Sequence, residues 1–174
     1  MFLLKILGSL IIITTSSLIG YIYGSSYSKR VRNLIYLRNC IQLLETEIMY
    51  SSTPIPEALK NVFRKGNKEV SFIFMEINEH LLSDRSNSLE DSFQVVCNRY
   101  KAQLNFSLED IEVITSLGNT LGKSDKLHQQ KYFKLIVTQL EGQQIDAEEK
   151  KKKNEKMYKS LGLLGGLALV ILLI

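Results

Sequence analysis

"LLETEIMYSSTPIPEAL" runs from Leu43 to Leu59 and holds Pro54 and Pro56, the only two prolines in 174 residues. Proline lacks a backbone donor and its ring clashes with the preceding turn. A helix interior therefore excludes it, whereas a first helical turn accepts it. A chain that confines its prolines to one such place reads as helical elsewhere, with this stretch as the reversal between two helices. Thr53 is placed to cap the helix that Pro54 and Pro56 open. Together, Thr53, Pro54 and Pro56 stop one helix and aim Glu57, Ala58 and Leu59 back along it.

Helical periodicity extends outward on both sides. Before the turn, Leu34, Leu37, Ile41, Leu44 and Ile48 form a heptad seam on a helix that leaves the apolar N-terminal run near Lys29. After it, Val70, Ile73, Phe74, Ile77 and Leu81 keep the i, i+3, i+4 spacing. So do Leu89, Phe93, Val96, Tyr100 and Leu104, then Ile111, Ile114, Leu117 and Leu121, and finally Tyr132, Phe133, Ile136, Val137 and Leu140. Each stripe covers one face and leaves a charged face to water. Ser88 with Asp91, and Ser107 with Asp110, predict capping boxes with aspartate in place of glutamate. Gly122 predicts a helix end, and Ser124 or Asp125 a cap for the last helix. No stretch alternates with period two, so no strand is expected.

Both ends are apolar. Residues 6–28 carry no charge and are long enough as a helix to cross about 30 Å of hydrocarbon. No small-x-small cleavage site follows, so the run reads as an anchor rather than a signal peptide. Residues 160–174 are also uncharged but rise only ~22 Å. A second span must therefore begin near Met157, with Lys159 reaching to the headgroups.

Charge assigns the sides. Lys29, Arg30, Arg32 and Arg38 follow the first run, and Lys150, Lys151, Lys152, Lys153, Lys156 and Lys159 precede or open the second. Only Lys5 lies beyond either run. The positive-inside rule places the central region in the cytoplasm. Lys29, Arg30, Arg32 and Lys150 to Lys153 are the candidate contacts to an anionic membrane surface. Between residues 39 and 149 the balance reverses, with 11 basic and 17 acidic residues and a net of −6. The overall +4 is thus a sum of unlike parts and does not indicate nucleic-acid binding.

Residues 141–156 hold Ile145 as their one large apolar side chain. Asp146–Lys150, Glu148–Lys152, Glu149–Lys153 and Glu155–Lys159 are all acid-before-base pairs at i, i+4, each worth ~0.2–0.5 kcal/mol. The segment reads as a solvated helical stalk. The expected organisation is a membrane helix over 1–28, a cytoplasmic bundle over 29–140, the stalk over 141–156 and a second membrane helix over 157–174. The fold class is all-α, an antiparallel bundle of about six helices.

Little points to catalysis. His80 and His128 lack partners at metal spacing, and no nucleophile, phosphate-loop or zinc motif occurs. No cofactor, metal or catalytic residue is implied. Cys40 and Cys97 fall on apolar helical positions and read as core. Gly20 with Gly24, and Gly162 with Gly166, make G-x-x-x-G in each apolar run, a spacing that lets membrane helices approach closely. The proline turn lies about 20 residues, or about 30 Å of helix, beyond the first run. Glu45, Glu47 and Glu57 there are candidate partner contacts.

"LLETEIMYSSTPIPEAL" resembles the signature of the stage III sporulation protein AB family of endospore-forming bacteria. So do "GYIYGSSYSKR", "LGNTLGKSDKLHQQ" over Leu117–Gln130 and the closing "KMYKSLGLLGGLALVILLI". The resemblance implies a cytoplasmic part similar to the platform domain of type II secretion and type IV pilus machines. It further implies a place in the channel between mother cell and forespore. The chain would sit in the outer forespore membrane and face the mother-cell cytoplasm. It would dock the ATPase stage III sporulation protein AA and other stage III sporulation channel proteins, with room for a homo-oligomer. This chain departs from full platform proteins, which have two such domains and more membrane helices. The alternative is a membrane-tethered adaptor whose bundle binds another cytoplasmic protein.

Overall fold

The computed structural model describes residues 2–121 and 126–173. Gly122, Ser124 and Asp125, with the helix end and cap expected there, lie outside the described residues. Among those described the fold is all-helical. Its order is α1 (Phe2–Glu45), a π turn (Thr46–Tyr50), α2 (Ile55–Lys65), α3 (Lys68–Ser83), α4 (Leu89–Leu104), α5 (Leu108–Thr120) and α6 (Lys126–Leu173). The chain divides into two compact units, one of residues 32–145 and one of residues up to 31 together with those from 146 onward. The charged stretch 141–156 is thus shared between them.

In the unit of residues 32–145 the apolar stripes converge. Leu34, Leu37, Ile41 and Leu44 of α1 are fully buried, as are Phe74 of α3, Phe93 of α4 and Phe133 of α6. Short connections fold α2 onto α3, α3 onto α4 and α4 onto α5, the arrangement that short loops impose on consecutive helices. The starts are fixed locally. Ser88 and Ser107 form capping boxes with Asp91 and Asp110, as their spacing requires. Asn67 caps α3 by accepting from the Glu69 N–H at 2.9 Å. Asn105 ends α4 at φ 56°, a left-handed position that asparagine tolerates.

Two distant contacts tie the helices together. Asn33 of α1 donates to the Leu104 carbonyl at 2.8 Å, satisfying one of the orphan acceptors at the end of α4. A Cβ built on Gly66 would stand 2.9 Å from Cys40 Sγ and 2.8 Å from Ser71 Cβ. Glycine is what lets the α2–α3 connection close on α1. Cys40 and Cys97 are free and buried, and desolvation pushes both thiols up to about 12.

The seam departs from its heptad at one place. In the π turn the helix widens, and the Ser51 N–H donates to the Thr46 carbonyl at 3.1 Å. That extra residue rotates the following side chains. Glu47 and Met49 turn inward, while Ile48, expected on the seam, is only half-buried.

In the other unit, the apolar side chains of α1 from Ile6 to Ile22 are largely exposed. Among the described residues, α1 is the helix long and apolar enough to cross a membrane.

Candidate functional site

The proline turn is built around Glu47. Its carboxylate accepts from Thr53 Oγ1 at 3.0 Å, Asn61 Nδ2 at 3.0 Å and Lys65 Nζ at 2.6 Å. The side chain is only 6% exposed. Lys65, which bonds it, is itself 58% exposed. The bond from Lys65, then that from Asn61, holds the Glu47 carboxyl below the usual carboxylate range. One carboxylate thereby joins the end of α1 to both the loop and α2.

Two expectations change here. Thr53 does not cap α2. Pro54 stands at the N-cap with φ −56° and ψ 143° and makes no side-chain bond, with Pro56 in the first turn. The Thr53 hydroxyl is spent on Glu47, and its N–H donates to the Glu47 carbonyl at 2.9 Å. Ser52, at φ 53°, makes the reversal. Glu47 in turn is a structural anchor and not an accessible partner contact. The three glutamates are unlike one another. Glu45 is half-buried, and burial raises its carboxyl despite the opposing charge of Lys134. Glu57 is exposed in the first turn of α2, where the helix dipole favours an acid.

The terminal unit holds the second set of candidates. The ideal Cβ of Gly20 would lie 2.6 Å from Gly162 Cα, and that of Gly162 would lie 2.7 Å from Gly20 Cα. No side chain fits between these backbones. Ser16 Oγ uses the closeness to donate to the Gly162 carbonyl at 2.7 Å. Where a Cβ would stand, Gly24 faces the Glu155 carbonyl at 2.8 Å and Gly166 faces Ile13 Cα at 3.1 Å. Tyr27 stacks on Tyr158 with ring centroids 5.8 Å apart.

The stretch expected to be a solvated stalk is helical but not bare. Ala147 is 2% exposed. Asp146 takes Lys150 at 2.8 Å and Arg30 at 3.7 Å. Glu155 accepts from Lys159 at 2.6 Å and from Ser28 Oγ at 2.7 Å. The bond from Lys150 holds the Asp146 carboxyl down, and that from Lys159 does the same for Glu155. The basic residues therefore separate. Arg30 and Lys150 are committed to Asp146, and Arg32 pairs with Glu69 at 2.9 Å. Lys29, Lys152 and Lys153 are exposed, and Lys151 is half-buried. The Ser16 and Ser28 bonds cross more than a hundred residues, and spacing along the chain carries no sign of them.

Among the described residues no three of His, Cys, Asp and Glu gather as metal ligands. What the geometry defines is an all-α protein with a folded helical bundle and an N-terminal helix able to anchor it in a membrane. Comparison with known proteins narrows this class. The family model for stage III sporulation protein AB matches residues 5–174. Stage III sporulation protein AB of Bacillus subtilis (strain 168) is 36% identical over 171 residues, covering 98% of this chain and 99% of that protein. A solved structure of stage III sporulation protein AB superposes with a TM-score of 0.64 at 32% identity, over 71% of this chain and 96% of that one. The chain belongs to the stage III sporulation protein AB family. These relatives are named as sporulation proteins and not as enzymes.

Proposed function

We propose that the chain is a non-enzymatic membrane platform of the channel between mother cell and forespore. In this reading it resembles the platform domain of type II secretion machines. It docks the cytoplasmic ATPase stage III sporulation protein AA and other channel subunits. It sits in the outer forespore membrane with its bundle in the mother-cell cytoplasm. Family membership supports a sporulation role. The observation that carries the membrane part is the Gly20–Gly162 approach with its Ser16 bond. Without hydrophobic drive between helices in lipid, such backbone contact and hydrogen bonding are what hold membrane helices together. It favours a C-terminal span beside the first. Lys159, bonded to Glu155 and 5.1 Å from the Tyr21 ring, suits the headgroup layer.

Orientation is tested by thiol labelling in intact sporulating cells. A cysteine replacing the exposed Ser86 should be shielded from an impermeant reagent, and one appended after Ile174 should react. Cys40 and Cys97 are buried and should stay silent. Labelling at position 86 alone would invert the topology and remove any cytoplasmic ATPase from reach. Copurification of the full-length protein should then recover stage III sporulation protein AA. Recovery of a different cytoplasmic protein in its place would favour the tethered-adaptor reading.

A further inference from the structure

The first turns of α6 are unusual for this region. Residues 126–140, "KLHQQKYFKLIVTQL", contain three lysines and a histidine and no acid, inside a region whose net charge is −6. Two grooves flank them. One, of about 400 Å³, is lined by Met49, Tyr50, Lys126, Leu127 and Gln130. The other, of about 380 Å³, is lined by Thr120, His128, Lys131, Tyr132 and Leu135. Among the described residues, neither lining includes a carboxylate. Tyr50 is 71% exposed and Leu127 61%, large apolar surfaces for a face in water. Tyr50 is delivered there by the π turn, whose extra residue sends Glu47 and Met49 inward and Tyr50 out.

Charge limits the surface on two sides. Glu45 lies within electrostatic reach of Lys134. Glu109 and Glu112 line a neighbouring groove that shares Tyr132 and Leu135. The basic, apolar part lies between these acids along the exposed ridge of α6, with Tyr50, Lys126 and Leu127 in the groove on one side and Lys131 in the groove on the other.

We propose that this face is the docking surface for an acidic amphipathic helix of a partner protein. Concave grooves accept protruding leucine-sized side chains, and the lysines beside them complement carboxylates on the same helix. A flat anionic bilayer would meet the lysines but leave the grooves unfilled. The inference rests on the docking role proposed above and moves its site from the turn glutamates to α6.

The test uses the full chain in nanodiscs and two labelled helical peptides, with leucine on one face and either glutamate or lysine on the other. The glutamate peptide should bind, and binding should weaken with salt as screening shortens to about 10 Å at 0.1 M. Lys126→Glu with Lys131→Glu should weaken it about tenfold or more, and Tyr50→Ala or Leu127→Ala comparably. Glu57→Lys should leave it unchanged. Equal binding of both peptides, no binding of either, or indifference to the lysine reversals would overturn the proposal. Binding of anionic phospholipid vesicles that alone responds to these variants would also overturn it, in favour of a lipid surface. Purified stage III sporulation protein AA separates the two readings. If it binds wild type and all variants alike, docking stands but this face does not serve it. If it fails to bind while the glutamate peptide behaves as expected, this face stands and the ATPase reading falls.

Discussion

Replacing Glu47 with alanine should loosen the link between α1 and α2 more than any other single change in the turn. Three side chains converge on its carboxylate. A hydrogen bond to a charged group contributes about 1.5–3 kcal/mol, but three that share one acceptor do not add. The Lys65 bond is discounted further because Lys65 is mostly exposed, and exposed pairs contribute about 0–1 kcal/mol. The expected loss is about 2–3 kcal/mol for Glu47→Ala and about 1 kcal/mol for Glu47→Gln, which keeps the shape and one acceptor. Glu57→Ala, an exposed control, should stay within about 0.5 kcal/mol. Urea denaturation of the full chain in detergent micelles, followed by far-UV circular dichroism, measures all three. The acid dependence gives a second readout. The folded carboxyl lies below its unfolded value of about 4.3. Its contribution is therefore complete above that value and is lost as pH falls through the folded one. Wild type should lose stability below about pH 5 faster than Glu47→Gln, so their difference shrinks with acid. Glu47→Ala within about 0.5 kcal/mol of wild type at neutral pH would refute the anchor role.

Leu44→Asp places a charge at a fully buried seam position and should abolish the cooperative transition of the bundle, at a cost of about 4 kcal/mol or more; a retained transition in the same urea series would show that the seam is not core. Gly162→Leu should separate the terminal helices, because even its Cβ would meet the Gly20 backbone. Its check is oxidative crosslinking between Ser16→Cys and Gly165→Cys, since a Cβ built on Gly165 would stand 3.8 Å from Ser16 Oγ: the crosslink should form with Gly162 in place and fail beside Gly162→Leu.

Much of the fold is legible because it is written in local rules. Ser88 and Asp91 stand three residues apart and need only their own backbone to close a capping box, and Ser107 with Asp110 does likewise. Leu34 to Leu44, Ile73, Phe74 and Phe133 recur at helical spacing, so the face each presents follows from the period alone. Pro54 and Pro56 mark the reversal because proline's missing donor is a property of one residue. Cys40 and Cys97 read as core for the same reason their thiols resist ionisation, since both sit on apolar faces.

The sequence by itself determined the helices, the capped starts of α4 and α5, the position of the turn and the apolar ends, each settled by neighbours within about one helical turn. Only the tertiary structure decided the partners. Ile48 left the seam because a π turn inserted one residue of rotation, which no heptad count registers. Glu47 looks like any surface glutamate until Asn61 and Lys65 of the returning helix close on it. Ser16 and Gly162, or Ser28 and Glu155, meet only after the chain has folded through the intervening helices. The acid-free start of α6 is plain in the letters. That it becomes a face, with Tyr50 and Leu127 lining one groove, depends on the π turn and the start of α6 being brought together. Local order follows from backbone geometry and short-range bonding. The choice of contacts between distant segments follows from burial and pairing energies that exist only in the folded chain.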